Sequence, residues 1–301
     1  MSLTETHGSG CGDAIRELAR AKVNLTLRVI GKRPDGYHEL QSLVVFADIG
    51  DVLTLRPGAN PEVIVEGPFA DGIVGENLVA RALERLAAVT PALRLGSVTL
   101  QKNIPIAAGL GGGSADAAAL LRAVRRANPD VATHVNWHEL AAGLGADVPV
   151  CLDQTAAQMW GIGDRLRQVH GMPALDAVLV RPAVVAPADK TRQVFTRLSA
   201  AAIAANANEP DPLPEFISAE RLLDDVSAHG NDLEGPAHLV MPLTAEAERA
   251  LAACEGCRLA RMSGAGPSCF GLFETPDQAR AAADRISRAF PDWWVRPVRL
   301  G

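Results

Sequence analysis

Residues 105 to 116 read Pro-Ile-Ala-Ala-Gly-Leu-Gly-Gly-Gly-Ser-Ala-Asp, and an alanine- and leucine-rich helical pattern begins where the glycines end. Gly109, Gly111, Gly112 and Gly113 let the backbone take positive φ and come close to a ligand. A helix starting near Ser114 aims unpaired N–H groups and its positive dipole end at the same place. The junction therefore predicts a strand, a long turn and a helix arranged as a cradle for an anion such as a phosphate chain.

The commoner nucleotide motifs fail against this stretch. There is no G-x-x-x-x-G-K-[ST]. The dinucleotide fingerprint G-x-G-x-x-G puts Ser114 at its last position when counted from Gly109, and Asp116 when counted from Gly111. Signatures of the H-R-D and D-F-G type are absent as well. A glycine turn with no ligand is the plain alternative. Behind the loop, Ala117, Leu120, Leu121 and Val124 follow the spacing of a buried helical stripe, with Arg122, Arg125 and Arg126 on another face.

With 29 basic and 35 acidic side chains in 301 residues, the net charge of −6 argues against a general nucleic-acid or anionic-membrane surface. Phosphate binding must then be local, built from backbone groups and a few cations. The lysines are Lys22, Lys32, Lys102 and Lys190, so a lysine kept in this arginine-rich chain suggests a role for a compact ammonium. Cys11, Cys151, Cys254, Cys257 and Cys269 are odd in number and scattered, which fits a reducing compartment. Cys254-x-x-Cys257 lacks a second pair for zinc, and Asn136-x-x-Glu139 resembles a capping box that separates His134 from His138. Met1 to Gly12 is polar, without a signal-peptide core, and no stretch suits a membrane span. The expectation is a cytoplasmic protein with a frayed start and no evident obligate protein partner.

A chain this long suits two domains, expected at residues 12–170 and 171–301. Residues 21–30 alternate, with Val23, Leu25, Leu27 and Val29 on one face and Lys22, Asn24, Thr26 and Arg28 on the other. Strand-like runs follow near 41–49, 52–56, 62–66 and 98–101, with a helix near 76–89 that starts at Asn77. After the loop helix come a helix at 137–144, a Gly-Ala-Asp-Val-Pro loop leading to a strand, and strands near 156–160 and 175–181. The second half reads as helices near 191–206, 218–228 and 244–254, strands near 258–262 and 268–273, a helix at 276–289 and a last strand near 293–299. That order suits a split βαβ sheet, with Pro210 to Pro214 as a loop.

Three further clusters carry polar groups. Pro34-Asp35-Gly36 marks a tight turn that delivers Tyr37 and His38 to the end of a strand; Tyr37 is either a half-buried aromatic or a stacking partner for a base. Asp147 is either a turn former or, if it lies near Lys22, half of a pair that orients a hydroxyl for attack on phosphorus. Residues 261 to 268, Arg-Met-Ser-Gly-Ala-Gly-Pro-Ser, form either a plain hairpin or a second set of backbone amides facing the phosphates.

Taken in order and spacing, Ala21-Lys22-Val23-Asn24-Leu25, the Pro105 to Ala115 loop and Met262-Ser263-Gly264-Ala265-Gly266 resemble the three motifs of the galactokinase, homoserine, mevalonate and phosphomevalonate kinase superfamily. Arg33-Pro-Asp-Gly-Tyr-His38, the triple glycine, Gly145-Ala-Asp-Val-Pro149 and Gly230-Asn-Asp-Leu-Glu234 resemble the branch that phosphorylates a cytidine diphosphate-linked methylerythritol. The resemblance covers roughly residues 17 to 300 and implies an α+β, two-domain kinase fold with a ferredoxin-like C-terminal domain. It implies ATP with Mg²⁺, and Lys22 and Asp147 as the catalytic pair. Pro105, Ile106, Ala107, Ala108, Gly109, Leu110, Gly111, Gly112, Gly113, Ser114 and Ala115 would wrap the ATP phosphates, supported by Ser263, Gly264 and Gly266. Asn24, Tyr37, His38 and Phe195 would bind the acceptor. Ala107 and Ala108 stand where some relatives have glycine. Another alcohol kinase of the superfamily and a non-catalytic phosphate-binding module are the rival readings. Asn231, Asp232 and Glu234 receive no role from the sequence.

Overall fold

A computed structural model describes residues 13–58, 61–72, 77–204, 209–214, 216 and 218–301. The expected frayed start at Met1 to Gly12, with Cys11, and the end of the expected 191–206 helix at residues 205–206 lie outside these.

The alternating segment begins as β1 (Ile15–Asn24), pairs antiparallel with a later strand, and is followed by β2 (Arg28–Lys32). The alternation of residues 21–30 is thus broken after Asn24. There Thr26 accepts the Leu43 amide on its own hydroxyl, and Leu27 bonds to the carbonyl of Gly230 instead of continuing the ladder. The runs expected at 41–49 and 52–56 are one strand, β3 (His38–Pro57). The polar step at Gly50-Asp51 reads as a break in the sequence, yet it is buried. At Gly50 a Cβ would lie 2.2 Å from the Ala19 carbonyl oxygen, so only glycine lets β1 approach, and Asp51 is held by partners described below.

β4 (Glu62–Glu66) runs parallel to β5 (Gly96–Gln101), which pairs with β3. Between them α1 (Leu78–Val89) starts where Asn77 accepts the Val79 amide. The glycine loop then opens α2 (Gly112–Ala127), two residues earlier than Ser114. Alanines at 115, 117, 118 and 119 let α2 lie close against β1 and β3. Next come α3 (Pro129–Ala132) and α4 (Trp137–Leu144), capped by Asn136 through the Glu139 amide.

The strand expected after Asp147 is instead a helix, α5 (Val148–Asp153). Pro149 lies in its first turn, where proline's fixed φ and missing N–H are tolerated, and a short buried apolar run carries no period that separates helix from strand. β6 (Ala157–Gly161) pairs with β3 and with β7 (Arg165–Gln168), a strand absent from the sequence reading.

The second half supplies β8 (Leu175–Arg181), α6 (Lys190–Leu198), α7 (Ala219–Ala228), α8 (Glu234–Val240), α9 (Leu243–Ala252), β9 (Cys257–Met262), β10 (Cys269–Phe273), α10 (Pro276–Ala289) and β11 (Trp294–Leu300). α6 stops at Leu198, short of the expected 206, because Ser199 turns left-handed with φ 51°. α8 was not anticipated; Gly235 and Pro236 obscure it in the sequence. β11, β8, β10 and β9 are adjacent in that order and antiparallel, the ferredoxin-like arrangement. Leu300 pairs with Ala47, joining this sheet to β3 and making one α+β molecule. No helix among the described residues is long and apolar enough to cross a membrane.

A buried ion cluster fixes the glycine loop to this frame. Lys102, just past β5, bonds through Nζ to Asp51 on β3 and, at 2.6 Å, to Asp116 in the second turn of α2. The other oxygen of Asp51 accepts the amides of Asn103 at 2.6 Å and Ile104 at 2.8 Å, shaping the entry to the loop. Burial disfavours charge on Lys102, yet Asp116 and Asp51 together hold its pKa above the ordinary value. One ammonium cannot balance two buried carboxylates. Burial first, and Asp51 next, push Asp116 up to about 8 against the pull of Lys102. Unfolded, a carboxyl loses its proton near pH ~4. The folded chain thus binds the extra proton between these values, and the stability this contributes is lost as pH rises from about 4 to about 8. Asp116→Asn should flatten that decline, measured by urea unfolding between about pH 5 and pH 9 against the wild-type protein. Parallel pH profiles for the two proteins would contradict it.

Candidate active site

Lys22 sits near the end of β1 with its side chain 6% exposed. Its backbone amide donates to the Leu110 carbonyl at 2.9 Å, so the strand directly holds the glycine loop. At Gly111, where φ is 66°, a Cβ would be strained and would stand 3.2 Å from Lys22 Cβ, so glycine eases the approach. Lys22 Nζ lies 2.8 Å from Asp147 Oδ1, and the two residues are 125 apart in sequence. Asp147 precedes α5 but caps nothing with its side chain, which is 40% exposed. The carboxylate is therefore held on one side by an ammonium and open on the other to a cavity of about 210 Å³. Asn24, Gly109, Lys190 and Gly264 line the same cavity.

The Pro105–Ala115 loop bends through positive φ at Ala107 (53°), Gly109 (82°) and Gly111 (66°). Residues Pro105 to Ser114, without Leu110, line a second cavity of about 230 Å³ together with Lys102. Gly112 and Gly113 start α2, so its free N–H groups face this hollow. Leu110 is buried and anchors the loop, and Ala115 begins the helical ladder by donating to Gly111. Ala107 is an alanine in the left-handed region, at a site where glycine would be relaxed. Ala108 accepts the Ser268 amide through its carbonyl at 2.9 Å.

That bond belongs to a second contact, with the turn after β9. Ser263 Oγ accepts the Asn24 amide at 3.1 Å and lies 3.4 Å from the Gly109 carbonyl. A Cβ on Gly109 would fall 2.5 Å from the Gly266 carbonyl oxygen. The loop is therefore clamped between β1 and the Ser263–Gly266 turn, in which Gly264 and Gly266 take positive φ. Asn24 is 5% exposed and donates through Nδ2 to Ser42 at 2.8 Å.

The turn after β2 carries Tyr37 and His38 to a third cavity of about 620 Å³. His38 stacks on Phe195 of α6, with ring centroids 4.7 Å apart and planes at 27°. Tyr37 stands 61% exposed at this cavity, so half-burial does not describe it. Burial, and then the neighbouring Lys32, lower the His38 pKa, favouring a neutral imidazole near neutral pH.

Sequence reasoning missed two parts of this site. Asn231 donates through Nδ2 to the carbonyls of Met262 and Gly264, both at 2.9 Å, and its Oδ1 accepts the Leu233 amide. Asp232 accepts the Val29 amide at 2.7 Å and Glu234 accepts the Met262 amide at 3.0 Å. Gly230 to Glu234 thus ties the β1–β2 junction to the second glycine turn; the sequence shows this segment only as a motif of the resemblance, with no role for its side chains. Lys190 at the start of α6 is the other; its signal was lysine's scarcity in this chain.

Models of known families match along most of this frame. The GHMP kinases N terminal domain matches residues 77–158, and the GHMP kinases C terminal domain matches residues 217–292. A 4-diphosphocytidyl-2-C-methyl-D-erythritol kinase of Rhodopseudomonas palustris (strain BisA53) is 46% identical over 301 residues, covering 95% of this chain and 98% of the relative. One of Dinoroseobacter shibae is 47% identical over 292 residues, covering 95% of both chains. A crystal structure of 4-(cytidine 5'-diphospho)-2C-methyl-D-erythritol kinase superposes with a TM-score of 0.74 at 35% identity, over 95% of this chain and 99% of the other. A homoserine kinase from Cytophaga hutchinsonii shares the fold, with a TM-score of 0.59 at 17% identity over 98% of each chain. The chain belongs to the GHMP kinases, and within them to the 4-diphosphocytidyl-2-C-methyl-D-erythritol kinase family.

Proposed function

We propose that this chain transfers the γ-phosphoryl group of ATP to the C2 hydroxyl of 4-diphosphocytidyl-2-C-methyl-D-erythritol, a step of non-mevalonate isoprenoid precursor synthesis in the cytoplasm. The observation that carries the reading is the 2.8 Å contact between Lys22 Nζ and Asp147 Oδ1, set between the glycine loop and the aromatic pocket. On this reading the phosphates of ATP lie along Pro105–Ala115, whose amides and helix end meet their charge. Tyr37, His38 and Phe195 hold the cytosine, Tyr37 by stacking and His38 by hydrogen bonding, which leaves the erythritol hydroxyl at Asp147. Asp147 accepts the hydroxyl proton as the oxygen attacks the γ-phosphorus in line, the bond from that phosphorus to the β–γ bridging oxygen breaks and ADP leaves. Lys22 holds the hydroxyl and steadies the developing charge, so positioning and electrostatics supply most of the rate.

The division of labour places the donor loop and catalytic pair in residues 12–170 and Phe195 with the second glycine turn in residues 171–301. Magnesium belongs to the reading as the counterion of ATP. Asp51 and Asp116 are engaged by Lys102, and the described residues contain no group of three His, Cys, Asp or Glu side chains able to hold an ion. On this reading the ion would be held mainly by phosphate oxygens and water, and when bound it would neutralise charge on the phosphates.

ATP consumption that depends on the cytidyl acceptor, with homoserine and mevalonate as control acceptors, tests the reading directly. Consumption with a control acceptor but not the cytidyl one would overturn it. Asp147→Asn should lower kcat by about 10²–10⁴-fold with ATP affinity little changed, as read from steady-state kinetics and nucleotide titration. Near-normal turnover would remove Asp147 from the base role. Tyr37→Ala should weaken acceptor binding by about 1–3 kcal/mol, measured by calorimetry, and an unchanged Kd would refute the stacking role.

A further inference from the structure

We infer that Lys190 anchors the diphosphate of the phosphoryl acceptor; the inference rests on the function proposed above and names a residue that function does not require. Lys190 opens α6 and is 9% exposed. Its ammonium donates to the Gly266 carbonyl. No ion pair to a carboxylate forms there among the described residues, and the charged neighbour that acts on it is Arg181, a second cation on β8. A buried ammonium facing only like charge is costly, and such groups are kept where an anion compensates them. Burial, and then Arg181, lower its pKa to about 8, which agrees with that missing partner. An ammonium has three N–H donors, and Gly266 takes one. The others are available to the cavity that Lys190 lines.

Its position selects the ligand. Lys190 lines the cavity that holds Lys22 and Asp147, and so do Thr191 and Phe195, which also line the aromatic pocket. Lys190 therefore stands at the seam between the two hollows. An acceptor with its base against Tyr37, His38 and Phe195 and its hydroxyl at Asp147 must pass its diphosphate across that seam. The donor cradle is lined by a different lysine, Lys102, and Lys190 is not part of its wall. Gly266 fixes the ammonium in place, because the same carbonyl packs on Gly109 of the phosphate loop.

Calorimetric titration of the full chain with cytidine 5'-diphosphate, cytidine and ADP, repeated with Lys190→Met and Lys190→Arg, tests this. Lys190→Met should weaken cytidine 5'-diphosphate binding by about tenfold or more, with cytidine and ADP within about twofold, and Lys190→Arg should recover part of the loss because its charge is kept. In turnover the KM for the cytidyl acceptor should rise while that for ATP does not. Unchanged binding of cytidine 5'-diphosphate, an equal loss for cytidine, or a loss that falls on ADP would each overturn the inference. Wild-type turnover of the cytidyl acceptor beside any of these results leaves the proposed function standing, so the two failures are distinguishable. Retained ADP binding shows that the Met variant is folded.

Discussion

One residue, Lys22, ties the phosphate loop to the acid across from it. Its amide holds the Leu110 carbonyl and its ammonium holds Asp147, so a single point on β1 sets the distance between the glycine bend and α5. Neither partner is near it in sequence. Gly111 eases the pairing by keeping a side chain off Lys22, and the pairing requires β1 to lie flat on β3, which Gly50 permits. Moving β1 by one residue would turn Lys22 into the opposite face and dissolve both contacts.

Around that point the loop is fixed from two further sides. Lys102, Asp51 and Asp116 grip its base from within the first half of the chain. Ser263 and Gly266 press on Gly109 from the second half, and Asn231 and Glu234 hold that turn in place. A bend of four glycines is expensive to order alone, and these contacts within the chain supply order. The electrostatic pattern also divides the lysines: Lys102 and Lys22 are paired with acids, whereas Lys190 forms no ion pair among the described residues.

Much of the frame was legible because its signals are local. Asn77 and Asn136 announce α1 and α4, and the period-3.6 stripe announces α2. What stayed hidden depends on distant partners. Asp51 looks like a strand end until Lys102 is placed beside it, and Leu27 leaves the β ladder only because Gly230 comes to meet it. α5 is buried on most of its surface, so its apolar run has no face to betray a helix. At the site, the glycine loop could be read directly because backbone freedom is written in residue type. The tasks of Asn231 and Glu234 could not, since they act by bonding a turn about thirty residues away.

The central claim is that Lys22 and Asp147 act as one unit on one hydroxyl. A double-mutant cycle on kcat/KM for the cytidyl acceptor, using Lys22→Met, Asp147→Asn and the double variant, tests it most directly. The account predicts that the double variant is scarcely slower than the worse single one. Losses that multiply, each variant acting as if the other residue were elsewhere, would contradict it.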